Sequence, residues 1–291
     1  MKDESNDDVG VFSESSTWCD VTPIPMSPQV NELFNLKYDK DYSDSLSILR
    51  AVIQSGELSE RVLELTSHLI TIIPNNPAFW HVRRQCLELL GYDLKQELQF
   101  LRVIHNLGIK CYQTWNHRKW ICNRDHLKEK DFLMGMISKD EKNFHAWEYA
   151  IWYATRWSEY KDIYDISKHF IQHDIFNNSA WNAVFQMSQH LDENIMELAL
   201  NYMKVSTKNE SLTHFIYGSL KRDPNLMPQV KETIEFVHRN HQENPIFLSF
   251  EAQVYDLAGE NEKMNSVYDR LIDLQPNRRE FWSSFKSSQH V

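Results

Sequence analysis

The stretch Ile109–Trp120 contains the side chains of this sequence that are best suited to chemistry. It carries a lysine with no charged neighbour, Lys110, followed by the phenol of Tyr112 and the amide of Gln113. An ammonium group in this setting could serve a local basic site for phosphate. Considered alone, however, Lys110 would be an ordinary solvated lysine and Gln113 an amide near a helix start, so both interpretations stay open.

The bulk composition limits the classes of partner. The chain has 291 residues, 42% of them hydrophobic, and a formal net charge of −10. A nucleic-acid-binding protein normally presents a basic face, so we expect no nucleic-acid partner. The acidic N-terminus lacks the apolar segment of a secretory signal, and no apolar run reaches the roughly 18 residues of a membrane span. We therefore expect a soluble, cytoplasmic protein that is not an integral membrane protein.

The four cysteines do not suggest a metal site. None of them forms a C-x-x-C pair, and their spacing fits neither a zinc ribbon nor a zinc finger. We expect reduced thiols and no metal bound by this chain.

One anchor residue recurs along the chain at a nearly constant interval. A period of this length is the signature of repeat architectures, in which each unit is too small to bury its own apolar faces. In the later repeats, Thr213 and Leu248 replace the tryptophan. Seven anchors follow one another at intervals of 35, 32, 34, 32, 35 and 34 residues, namely Trp80, Trp115, Trp147, Trp181, Thr213, Leu248 and Trp282.

Each repeat is predicted to form a pair of helices. Apolar residues recur at three- and four-residue spacing, and Gly91 and Gly108 stand where two helices should end. We predict an all-α fold, a right-handed α-α superhelix of about seven antiparallel helix pairs in a tetratricopeptide-like crescent. The clearest predicted helices span residues 79–90, 94–107, 112–125, 131–139, 144–157, 159–173, 180–190 and 193–207.

The helical repeat domain is predicted to cover residues 30–291. Residues 1–29 are rich in Ser and Asp and then in Pro, a composition that buries too little apolar surface to offset chain entropy. We expect a disordered, acidic and Pro-rich tail, in which Trp18 is one of the few residues that could dock on a partner.

An arginine follows two of the anchors by three residues. Arg83 follows Trp80, and Arg118 follows Trp115. This spacing places each guanidinium near the junction between units, where burial without a partner is costly. We interpret both arginines as clamps between helices that need carboxylate or carbonyl partners.

These repeats resemble those of protein prenyltransferase alpha subunits, in particular the one shared by farnesyltransferase and type I geranylgeranyltransferase. The resemblance rests on the pattern Asn/Lys-x-Tyr-x-x-Trp-x-x-Arg and on the opening segment 38–70. It implies a crescent wrapped around a beta subunit that holds zinc and most of the isoprenoid pocket. It also implies an enzyme, active only as the heterodimer, that transfers a farnesyl or geranylgeranyl group from its diphosphate to the cysteine of a C-terminal CaaX sequence.

The resemblance also implies roles for individual residues. Lys110 corresponds to the family's active-site lysine, whose ammonium stabilises charge on the departing diphosphate. Tyr112 corresponds to a tyrosine of the same pocket, and Gln113 to a glutamine that binds the terminal carboxylate of the peptide. Asn143 and His145 correspond to residues near the diphosphate, and His145 is expected to share the catalytic role.

The sequence departs from the family pattern at several positions. Phe144 stands in the substrate-binding set where a tyrosine is usual, so one hydroxyl contact is absent. Cys111 stands where asparagine is common, and Ala150 and Val184 replace arginines of later repeats. These departures leave the geometry around the reacting groups open.

The resemblance further implies cofactors and partners. This chain is expected to bind no cofactor itself; zinc belongs to the beta subunit, and magnesium is a further candidate for the heterodimer. The expected partners are the beta subunit, an isoprenoid diphosphate and CaaX-terminated proteins. The choice between farnesyl and geranylgeranyl lies in the beta subunit.

Two other functions stay open. One is the alpha subunit of a Rab geranylgeranyltransferase, although its known forms often carry extra domains, for which a chain that ends at Val291 has no room. The other is a tetratricopeptide-like scaffold that binds peptides without chemistry. A scaffold would have no reason to gather Lys110, Tyr112, Gln113 and His145 on one edge.

Overall fold

The structure is a computed structural model that describes residues 14–25, 38–191, 194–240 and 244–287. These residues form fifteen α-helices and a few 3-10 turns, and they contain no strand. The predicted all-α class is confirmed. No helix in the described ranges is long and apolar enough to cross a membrane.

The chain divides into two compact units, Met1–Leu127 and Lys128–Val291. The helices of the first unit are α1 Lys40–Ser55, α2 Glu60–Ile72, α3 Pro77–Leu90, α4 Leu94–Leu107 and α5 Tyr112–Cys122. Those of the second unit are α6 Lys130–Lys139, α7 Phe144–Trp157, α8 Tyr160–His173, α9 Asn178–Met187, α10 Ile195–Val205, α11 Glu210–Arg222, α12 Met227–Arg239, α13 Pro245–Leu257, α14 Asn261–Leu274 and α15 Arg279–Ser287.

The predicted helix bounds agree with the structure to within a few residues. In chain order the helices make seven successive pairs and a final α15, as the period predicts. Two helix ends differ by three residues: α9 stops at Met187 and not at residue 190, and α5 stops at Cys122 and not at residue 125. There the N–H groups of Arg124 and Asp125 both bond the carbonyl of Ile121, so the last turn tightens and the helix ends.

The first helix of most repeats begins at an asparagine. The side-chain oxygen of Asn143 accepts from the N–H of Ala146 at 3.1 Å, and that of Asn177 accepts from Ala180 at 3.0 Å. Asparagine is among the best N-cap residues because its oxygen pairs a helix N–H that has no partner within the helix. The same cap occurs at Asn76, Asn209 and Asn244.

The first four anchor tryptophans are tied to the loops that precede their helices. The four indoles are 1–3% exposed. Each indole N–H donates to the carbonyl six residues earlier, at 2.7–2.9 Å. The acceptors for Trp80, Trp115, Trp147 and Trp181 are the carbonyls of Pro74, Ile109, Glu141 and Ile175.

Several of these loop carbonyls also accept from the next repeat. The amide of Asn177 donates to the carbonyl of Glu141 at 3.0 Å, and that of Asn209 donates to Ile175 at 2.6 Å. One carbonyl therefore receives the indole of its own repeat and the cap residue of the following one. The 32–35-residue period in the sequence is the spacing of this two-donor junction.

The anchors of the last three repeats keep their positions, but they do not donate a hydrogen bond to the carbonyl six residues earlier. Thr213 donates to the carbonyl of Glu210, within its own helix, and Leu248 is fully buried without a polar group. Trp282 donates to the side-chain oxygen of Gln275 at 3.1 Å in place of a backbone carbonyl. In these repeats the anchor therefore contributes apolar burial or a different hydrogen bond.

Residues 14–25 pack on the first helix pair. Trp18 is 3% exposed, and the guanidinium of Arg61 lies 4.7 Å from the centroid of its ring. Arg61 also donates to the carbonyl of Thr17 at 2.7 Å and to both carboxylate oxygens of Asp20 at 2.7 and 2.9 Å. This short segment is thus held by one buried indole and one arginine.

The prediction of a disordered tail over residues 1–29 does not hold for residues 14–25. Composition misses the docking because the partner, Arg61, is about forty residues away in the sequence. The other residues of the predicted tail lie outside the described part of the chain, and the domain boundary at residue 30 stays a prediction.

Arg83 joins three helices of the first unit. It is 4% exposed and forms a bidentate pair with Glu97 of α4, with N–O distances of 2.8 and 2.6 Å. Its remaining nitrogen donates to Ser67 Oγ of α2 at 2.7 Å. Burial raises the pKa of the Glu97 carboxyl, but the hydrogen bonds from His117 and Arg83 outweigh burial and bring this pKa to about 2.

His117 connects α5 to this pair and is neutral. Nε of Arg84 donates to Nδ1 of His117 at 3.2 Å, so the ring proton lies on Nε2, which donates to Glu97 Oε1 at 2.7 Å. Burial lowers the pKa of His117 to about 4, although Glu97 acts in the opposite direction. The ring also packs between Trp80 and Trp120, at centroid distances of 4.9 and 5.2 Å. These contacts fix α5 on α3 and α4.

Replacing Asn177 by Ala tests the two-donor junction. The substitution removes the helix cap and the bond to the Glu141 carbonyl, so we expect the free energy of unfolding to fall by about 2 kcal/mol in urea titrations. Asn178→Ala, at the exposed next position, is the matched control and should change it by less than about 0.5 kcal/mol. Equal effects of the two substitutions would contradict the junction.

The neutral state of His117 predicts a dependence of stability on pH. The folded-state pKa of about 4 lies below the ordinary value of 6.5, so between these values the unfolded chain binds more protons. The free energy of unfolding should therefore fall as the pH drops from about 6.5 towards 4. His117→Gln should reduce this slope between pH 7 and 5 in urea titrations, whereas the exposed control His81→Gln should not. A slope unchanged by His117→Gln would refute the buried neutral histidine.

Candidate functional site

The three candidate residues of the first unit lie together around the start of α5. Lys110 is exposed in the loop before the helix, Tyr112 is its first residue and 58% exposed, and Gln113 is partly exposed. The loop is held in place because Trp115 bonds the carbonyl of Ile109, directly before Lys110. The lysine is therefore presented by an anchored backbone.

The N-cap of α5 differs from that of the neighbouring repeats. Cys111 makes no side-chain bond to the helix, whereas Asn76 and Asn143 cap α3 and α7. The thiol instead contacts the carbonyl of Pro74 at 3.3 Å, which is the junction role that Asn177 and Asn209 play in later repeats. Cys111 thus makes the junction contact that an asparagine makes in other repeats, but it does not cap the helix. The positive end of the α5 dipole therefore has no side-chain oxygen from its N-cap residue.

The second group of candidates lies at the start of α7. Asn143 is 1% exposed and caps the helix through Ala146. Phe144 is 73% exposed, and its ring centroid lies 5.6 Å from that of the partly exposed His145. The side chain of Asn143 therefore serves mainly to cap α7, while Phe144 and His145 form the accessible surface here.

An open apolar groove runs along α7 and α9 beside this group. Phe144 lines it together with Trp147, Ile151 and Trp152 of α7 and Ser179 of α9. The aromatic ring at position 144 therefore extends an apolar surface, where a tyrosine would add a hydroxyl.

The structure gathers the six candidates into two groups of three. Lys110, Tyr112 and Gln113 belong to the first unit, and the group 143–145 belongs to the second. Each group occupies the same place in its repeat, at the start of the helix that carries the anchor tryptophan. This equivalence is what the repeat predicts.

Arg84 adds a positive charge near the start of α5. It is half-buried and holds His117 through Nε. Burial lowers the pKa of its guanidinium, as does the nearby cation Arg124, while Glu88 and Tyr112 act in the opposite direction. The phenol of Tyr112 is thus within electrostatic range of a second cation besides Lys110.

Sequence reasoning singled out Arg83 and Arg118 but missed Arg84, Glu97 and the contact of His117. Arg118 is buried, with 5% exposure. A signal for Glu97 was present, because it shares the buried stripe of α4 with Leu101, Ile104 and His105. A carboxylate in a helical apolar stripe demands a buried cation or donor.

The described residues offer no metal centre. Within the described ranges, no group of three or more His, Cys, Asp or Glu side chains is placed to hold a metal ion. The four cysteines are free thiols, three of them buried.

Comparisons with known proteins converge on one family. A model of the protein prenyltransferase alpha subunit repeat matches residues 94–125. The protein farnesyltransferase/geranylgeranyltransferase type-1 subunit alpha of Dictyostelium discoideum is 27% identical over 236 residues, which cover 75% of this chain and 73% of that protein. The human geranylgeranyl transferase type-2 subunit alpha is 34% identical over 116 residues, which cover 35% of this chain and a fifth (20%) of the human protein.

A solved structure extends the likeness to most of the chain. It is that of Candida albicans protein geranylgeranyltransferase-I complexed with GGPP, with a TM-score of 0.76 and 26% sequence identity. The match covers 92% of this chain and 97% of the matched chain. The repeat match, 94–125, includes the loop and helix that carry Lys110, Tyr112 and Gln113. In its repeat, its sequence and its fold, the chain is thus similar to protein prenyltransferase alpha subunits.

Proposed function

We propose that this chain is the alpha subunit of a heterodimeric CaaX protein prenyltransferase. With a beta subunit it transfers a farnesyl or geranylgeranyl group from the isoprenoid diphosphate to a C-terminal CaaX cysteine. The observation that carries this proposal is the exposed Lys110, presented by an anchored loop at the start of α5 within the family's repeat. The Dictyostelium relative is named as a subunit of such an enzyme.

Lys110 has the chemistry that this transfer requires. As the cysteine sulfur bonds to the isoprenoid carbon, the bond from that carbon to the diphosphate oxygen breaks, and negative charge grows on the departing group. An ammonium fixed beside that oxygen stabilises the transition state more than the ground state. The positive end of α5 acts in the same direction, because helix N-termini favour anions.

Tyr112 and Gln113 complete the group in the first unit. Tyr112 is 58% exposed and can donate its hydroxyl hydrogen to a substrate oxygen. Gln113 offers an uncharged donor, which suits recognition of the peptide's terminal carboxylate. We assign both to substrate binding.

The three residues of the group in the second unit have different roles. His145 is partly exposed and can donate to a diphosphate oxygen, so we assign it to catalysis beside Lys110. Phe144 contributes apolar contact, and Asn143 orients the start of α7 through its cap.

Cofactors and partners follow from the same proposal. As the family resemblance implies, we assign zinc to the beta subunit, and no step above depends on it; magnesium is a further candidate for the heterodimer. The partners are the beta subunit, the isoprenoid diphosphate and CaaX-terminated proteins, and the cytoplasm remains the expected location.

The type-2 alpha subunit is a second candidate function. Its local identity to this chain is higher, 34% over 116 residues in the human protein. The type-1 relative matches over twice the share of this chain, 75% against 35%, which favours the CaaX enzyme.

Replacing Lys110 by Ala tests the assigned role. We expect kcat of the heterodimer for a CaaX peptide to fall roughly a hundredfold, the usual cost of losing one charge-stabilising group. The complex should still assemble. Lys95→Ala, an exposed lysine at the start of α4, is the matched control and should leave kcat unchanged. An unchanged kcat for Lys110→Ala would remove the lysine from the mechanism.

A further inference from the structure

Arg84 carries a positive charge that the described chain does not balance. Among the residues that the structure describes, its guanidinium makes one hydrogen bond, from Nε to the neutral His117. Its Nη2 is buried and has no hydrogen-bond partner within the described ranges. A half-buried arginine with a histidine as its partner is costly unless an anion arrives from outside the chain.

The carboxylates around Arg84 are engaged elsewhere. Glu97 forms the bidentate pair with Arg83 and lies on the far side of the His117 ring. Glu88, one turn after Arg84, forms a salt bridge with Arg124 of α5. The pairs Arg83–Glu97 and Arg124–Glu88 are each neutral, so one positive charge remains on Arg84.

This charge lies against α5. Arg84 holds His117 of that helix at 3.2 Å, and the phenol of Tyr112, the first residue of α5, lies within its electrostatic range. Lys110 precedes Tyr112 by two residues and is exposed. Arg84 of α3 therefore interacts electrostatically with the same phenol that Lys110 precedes by two residues.

We propose that Arg84 is a second cation of the diphosphate site and binds the isoprenoid diphosphate beside Lys110 and Tyr112. This inference rests on the proposed function and adds a residue to it. A diphosphate carries more than one negative charge, so one ammonium does not neutralise it. A guanidinium suits this ligand because it stays charged and donates charge-assisted hydrogen bonds to phosphate oxygens. A peptide carboxylate carries a single charge and has Gln113 as its assigned donor.

Arg84→Gln in the heterodimer tests the proposal. We expect the Kd for the isoprenoid diphosphate and the inhibition constant of inorganic diphosphate each to rise about tenfold, equal to about 1.4 kcal/mol. The KM for a CaaX peptide and the assembly of the complex should not change. Arg84→Lys keeps the charge and should lose less affinity, and Arg102→Gln, an exposed arginine of α4, should lose none.

Three results would overturn the proposal. If both constants for diphosphate stay unchanged, Arg84 does not bind it. If the peptide KM alone rises, the anion is the peptide carboxylate, and if assembly weakens instead, it is a carboxylate of the beta subunit. Binding of inorganic diphosphate to the complex is measured without turnover. A wild-type complex without transfer activity would therefore refute the proposed function. The binding of inorganic diphosphate would still decide the role of Arg84.

Discussion

The structure depends on hydrogen bonding of the loop carbonyls at the junctions between repeats. Such a carbonyl, partly buried where two repeats meet, must be hydrogen-bonded or it costs free energy. The carbonyls of Glu141 and Ile175 meet this need with two donors each, an indole from their own repeat and an asparagine amide from the next. The same asparagine caps the helix that follows. One residue type thus sets both the start of a helix and its attachment to the previous repeat.

The candidate site lies at a junction where the asparagine is replaced by another residue. At the start of α5, Cys111 keeps the contact to the preceding loop but gives up the cap, while Trp115 still anchors the loop of Lys110. The fold thereby presents a cation and the positive end of a helix while the thiol keeps a contact with the preceding loop. Beneath it, the chain of contacts from Arg83 through Glu97 and His117 to Arg84 holds α5 rigidly and leaves a charge near Tyr112.

Much of this could be predicted from the sequence because the repeat unit is local. The anchor spacing, the apolar periodicity and the terminal glycines predict helix bounds that agree with the structure to within a few residues. The resemblance of the repeats supplied the roles of Lys110 and Gln113, and those roles stay predictions. The pairing of Glu97 and the docking of Trp18 on Arg61 were missed, because they join residues 14 to 43 positions apart whose meeting depends on packing.

We infer that this chain acts as one subunit of a two-subunit prenyltransferase. The most direct test is transfer of a farnesyl or geranylgeranyl group to a CaaX peptide, with this chain alone, with a beta subunit alone and with both co-purified. We expect a stable one-to-one complex and transfer by the complex alone. If no complex forms and no preparation transfers the group, the chain is a helical scaffold and the assigned roles at the start of α5 are wrong.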